Sequence, residues 1–86
     1  MKVTGFDLKK SDREGNQKAF GRIIIDDIFE VEVTLVEGKN GLFVSFPSKK
    51  SNTGKWFSLF RILDREVSDN LNEQVIYFYE KNIAPL

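Results

Sequence analysis

Eighty-six residues make one domain, and a chain of this size hides only about 60% of the surface it exposes when unfolded, so its core is small. It contains no cysteine and no histidine, which excludes disulfides, thiolate and imidazole catalysis and the usual zinc ligands, while 41% hydrophobic and 30% charged residues exclude a disordered chain. Thirteen basic residues balance thirteen acidic ones, and a neutral total argues against indiscriminate coating of nucleic acid, which scales with the phosphates neutralised.

The first run, Lys2 to Lys9, sets Val3, Gly5 and Asp7 against Thr4, Phe6 and Leu8, an imperfect alternation that predicts a strand. Ser11 to Asn16 is polar and ends in Gly-Asn, a turn. A second strand runs from Lys18 to Ile25, and Asp26-Asp27 makes a tight connection. From Ile28 to Val36 the alternation is clean: Phe29, Val31, Val33 and Leu35 share one face, and Glu30, Glu32 and Thr34 share the other. That is a half-buried strand with one wet face. Gly38-Lys39-Asn40-Gly41 contains Asn-Gly, a strong hairpin signal. Leu42 to Phe46 forms a fourth strand, which Pro47 ends because proline has no N–H for the ladder. Ser48 to Gly54 reads as an exposed basic loop, and Lys55 to Ile62 as a short fifth strand with Trp56, Phe57 and Phe60.

The period then changes from 2 to about 3.6. Val67, Leu71, Val75 and Phe78 form one helix face, broadened by Ile76, Tyr79 and Ile83. Asp64 is the expected N-cap, Asn82 the expected end, and Pro85 prevents continuation. The expected fold is therefore α+β: an antiparallel sheet of four or five strands, then one C-terminal helix packed on one face, as a single domain over residues 1–86. No run approaches the roughly 18 apolar residues of a membrane span. Asp7 interrupts the start of the chain as no signal peptide would allow, and we expect a cytoplasmic protein.

Charge is distributed in blocks. Residues 1–25 carry net +3, residues 26–37 net −5, residues 38–63 net +5 without a single acid, and residues 64–86 net −3. A local basic patch thus exists in a neutral chain.

Asn40-Gly41-Leu42-Phe43-Val44, followed after Ser45-Phe46 by Pro47-Ser48-Lys49-Lys50, resembles the signature of the SpoVG family, the stage V sporulation protein G or septation proteins. Met1 to Thr4, Ile23, Ile25, Asp26, Phe29, Val31 and Gly54 fall in register with it, and the resemblance covers roughly residues 1–80. It implies a small sheet with a C-terminal helix, a homodimer joined through its strands, and a nucleic-acid-binding regulator of septation, sporulation or virulence genes that is not an enzyme. On matching positions it points to Lys49, Lys50 and Arg65 as nucleic-acid contacts, with Arg61 near a position where many members have histidine. The chain departs from the family between Lys55 and Leu63, which is more apolar than usual and lacks an H-P pair. Its helix bears Asp64, Glu66, Asp69, Glu73 and Glu80 against Arg65 and Lys81, a poor partner for phosphate.

Each signal has an ordinary counterpart. Lys49, Lys50 and Lys55 read as phosphate contacts or as a solvated loop. Trp56, Phe57 and Phe60 read as a stacking platform for bases, or as core and dimer-interface residues in a domain short of apolar surface. Asp26, Asp27 and Glu30 lack the spacing of a cation loop, and Tyr77 and Tyr79 read as helix packing. We therefore expect no catalytic residues, metal, cofactor, small-molecule substrate or membrane partner. The expected partners are a second copy of the chain and DNA or RNA, with a protein-interaction module of the same fold as the alternative. In that alternative the Glu30/Glu32 face or the acidic helix meets a protein partner.

Overall fold

The clean alternation of residues 28–36 makes the centre of a sheet, and the other strands assemble around it. The computed structural model describes residues 1–12 and 15–84. Its elements are β1 (Val3–Lys10), β2 (Gln17–Ile25), β3 (Phe29–Gly38), β4 (Gly41–Ser45), β5 (Ser48–Lys50), β6 (Trp56–Ser58) and α1 (Arg65–Asn82). The first four form an antiparallel sheet in chain order, while β5 and β6 form a separate two-stranded sheet. The architecture is the expected α+β arrangement, with the helix laid on one face of the larger sheet. The tip of the first turn and Pro85 lie outside the described residues.

The inner face buries Ala19, Ile23 and Ile25 of β2, Val31, Val33 and Leu35 of β3, and Val44 of β4. Leu71, Val75, Tyr79 and Ile83 come down from the helix side. Phe78 stacks flat on Phe6, with ring centroids 4.1 Å apart. The imperfect alternation of β1 has a local cause. Val3 pairs with Ile25 but Gly5 pairs with Ile24, so Thr4 is an extra residue in a bulge. Val3 thus shares the inner face with Phe6 and Leu8 although their numbers differ in parity.

The bulge also receives the β2–β3 turn. Asp26 and Asp27 both stand at φ 54°, a left-handed pair that aspartate tolerates better than most residues. The Asp27 N–H donates to Thr4 Oγ1 at 3.0 Å, and the Lys2 N–H donates to Asp26 Oδ1 at 2.8 Å. In the middle of β2, Gly21 stands at φ +153°, and a Cβ built there would lie 1.9 Å from the Asp7 carbonyl oxygen.

Asp64 caps the helix as expected, its Oδ1 accepting the Val67 N–H at 3.1 Å. Asp64→Ala removes that acceptor at about 1 kcal/mol, so the melting temperature should fall by roughly 4–8 °C in a thermal scan. Two helix amides reach the outer strands. Gln74 Oε1 accepts the Val3 N–H of β1 at 2.8 Å, and Asn72 Oδ1 accepts the Val44 N–H of β4 at 2.7 Å. Among the described residues no helix is long and apolar enough to cross a membrane.

Candidate nucleic-acid interface

Residues 48–54, expected as a loop, are in part a strand, and the expected fifth strand is shorter than its apolar run. Ser48 pairs with Ser58, Lys49 with Phe57 and Lys50 with Trp56. Three-residue strands leave too little periodicity to be read, which is why the alternation did not disclose them. The connection is closed by Ser51. Its N–H donates to the Lys55 carbonyl at 2.8 Å, and its Oγ accepts the backbone N–H of Thr53 and of Lys55. Gly54 turns the chain at φ +86°, with its N–H donating to the Ser51 carbonyl.

A lone two-stranded hairpin is marginal in water, so this one needs an anchor. The Leu59 N–H donates to the Pro47 carbonyl at 2.8 Å, and the next residue, Phe60, docks on the body of the protein. Its ring packs against Phe46 at 4.9 Å and Phe29 at 6.1 Å between centroids. Phe60 therefore belongs partly to the chain's own packing. Trp56 and Phe57 do not: they are 67% and 55% exposed, one on each face of the hairpin.

Two of the expected cations lie on the hairpin and a third follows it. Lys49 and Lys50 are exposed on β5, opposite the two aromatic residues. Arg61 is exposed and lines one recess with Trp56, Phe57 and Leu63, and another with Ser48 and Ser58. Arg65 stands apart at the first turn of the helix, flanked by Asp64 and Glu66. Among the described residues the one ion pair joins Arg22 to Glu30 at 3.7 Å, so Lys49, Lys50 and Arg61 have their charge unpaired. The helix keeps Glu66, Asp69, Glu73 and Glu80 in solvent. Among the described residues no cluster of acidic side chains is arranged to hold a metal ion.

The pairing of each lysine with an aromatic residue was missed by sequence reasoning. The available signal was symmetry: Lys49-Lys50 and Trp56-Phe57 flank a segment holding Gly54, and folding it in half sets them opposite each other.

Comparison with known proteins gives a consistent result. The family model described as SpoVG matches residues 1–81. Similar proteins include one from Agathobacter rectalis, 31% identical over 96% of this chain and 97% of its own length. Another, from Lachnospira eligens, is 34% identical over 94% of this chain and 93% of its own. A third, from Caldicellulosiruptor saccharolyticus, is 33% identical over 98% and 97% respectively. All three are named for the septation protein SpoVG.

Proposed function

The chain belongs to the SpoVG family, and from that premise we propose that it is a regulatory protein, not an enzyme, that binds nucleic acid through the β5–β6 hairpin. The observation that carries the reading is the acid-free block at residues 38–63, whose Lys49 and Lys50 on the hairpin and Arg61 just after it are exposed and, among the described residues, unpaired. Arg65, at the first turn of the helix, would be a separate contact. Lysine is a flexible point charge, so contacts are mainly to phosphate, with little base selection and steep dependence on salt. The solvent-facing acids of the helix oppose the same phosphates and keep affinity low.

Lys49→Glu/Lys50→Glu tests this beside the parent at low salt, with folding checked on both. Binding should weaken at least roughly tenfold, and the slope of log affinity against log salt should fall by about 2. Equal binding by the double variant would remove the hairpin from the interface.

The protein acts, on this reading, as a homodimer joined through strand edges. β1 and β4 end the sheet on either side, and a small core without disulfides gains most from a second copy. Two copies would present two hairpins, which raises avidity wherever both reach one nucleic acid. Sedimentation at tens of micromolar should give twice the 9.9 kDa chain mass. A second reading, a protein-interaction module, draws on the outer sheet face, where Phe20 and Ile24 are exposed beside Glu30 and Glu32. No binding of any oligonucleotide at low salt favours that reading.

A further inference from the structure

We infer that the hairpin takes unpaired bases, so that its preferred ligand is a single strand of DNA or RNA and not a duplex; this rests on the proposed nucleic-acid reading and names the ligand class. Residues directly opposite in an antiparallel pair share a face, with Cβ atoms about 4.5–5.5 Å apart. One face of the hairpin therefore sets Trp56 beside Lys50, with Ser48 and Ser58 on the same side, and the other sets Phe57 beside Lys49. Each face thus joins a flat ring to an ammonium group, and one adds two hydroxyl donors. A nucleotide with its base free presents the complementary set: a π-face, an anionic phosphate a few ångström away, and oxygens that accept hydrogen bonds.

Among the described residues the rings have no such partner. The aromatic pairs among the described residues are Phe6 with Phe78, and Phe60 with Phe29 and Phe46; Trp56 and Phe57 enter none of them. Phosphate binding alone gives no use to exposed aromatic surface, because in a duplex the faces of the bases are buried in the stack. Single-strand binders use both groups: a basic track for the backbone and aromatic platforms for successive bases. Charge decides the occupant, since the block at residues 38–63 is net +5 and the exposed rings lie within it.

Trp56 is the only tryptophan, so its fluorescence reports the site directly. The test titrates the full chain at low salt with short oligothymidylate, oligouridylate and a mixed-sequence duplex, reading Trp56 emission and the anisotropy of labelled oligonucleotide. Either single strand should quench Trp56 and bind at least about fivefold tighter than the duplex. Trp56→Ala should weaken single-strand binding about 5- to 150-fold, leave duplex binding within about twofold, and keep the parent's circular dichroism. Trp56→Phe, which preserves a stacking ring, should recover most of the affinity. Duplex binding as tight as single-strand binding, without quenching, overturns the inference and leaves the lysine surface standing. So does unchanged single-strand binding by Trp56→Ala, or a dimer that becomes a monomer in that variant. No binding to any of the three overturns the nucleic-acid reading itself, and this inference with it.

Discussion

Gly21→Ala should destabilise the protein by about 3 kcal/mol or more, over half of the roughly 5 kcal/mol available to a domain this small. The new Cβ would sit 1.9 Å from the Asp7 carbonyl oxygen and 2.9 Å from Leu8 Cα, both backbone atoms. A side chain could swing aside, but these atoms are fixed by the β1–β2 ladder, where Asp7 faces Arg22 and Leu8 faces Gly21. The residue's φ of +153° adds conformational strain for any residue but glycine. Gly15→Ala separates the two effects. Gly15 stands at φ +110° with nothing within 4 Å of its would-be Cβ, so that substitution carries only the strain, about 1 kcal/mol. Denaturant midpoints of the two variants measure the difference. Equal midpoints would mean that the strands are not locked together at this point.

Leu71→Ala should have an effect of similar size. Leu71 is fully buried, as is Val75 one turn further along the helix. Removing a buried leucine costs about 2–5 kcal/mol, depending on how far the surroundings collapse into the space. In this protein the sheet side of the core includes β2 and β3, each paired on both sides, which leaves little freedom to collapse. The variant should be largely unfolded at physiological temperature, or melt far below the parent in a calorimetric scan. Tyr77→Ala, at an exposed position on the same helix, should melt near the parent. A small shift for Leu71→Ala would show that the wrong helix face had been assigned to the core.

Period was the most legible property of the sequence. Val31, Val33 and Leu35 announce a half-buried strand, and Val67, Leu71, Val75 and Phe78 announce a helix face, of which Leu71 and Val75 are fully buried and Phe78 packs against the core, because each set repeats at the spacing its backbone imposes. Asp64 was legible as a cap for a chemical reason, since its carboxylate accepts a helix N–H that has no carbonyl partner. The β1 bulge was legible only as a disturbance: Val3 and Phe6 lie on one face because Thr4 is extra, and no pattern confined to one strand reports its neighbour's register. Lys49 and Lys50 stood out through charge, but their cross-strand partners did not. Pairing depends on where the chain folds back, and a turn centred on Ser51 to Gly54 carries a weaker signal than Asn40-Gly41.

The Gln74 bond to the first strand spans 71 residues. The four-stranded meander needs only neighbouring segments, so its pairing can begin early in synthesis. Its inner face, by contrast, stays uncovered until the ribosome has made the segment carrying Leu71, Val75 and Ile83. At about 5–20 residues per second, the interval from Ser45 to Ile83 is on the order of seconds. During that time Ile23, Ile25 and Leu35 face water on a newly formed sheet. The nascent chain is therefore most prone to aggregate just before the helix is made, and messages truncated ahead of the helix should yield insoluble product instead of a smaller working protein.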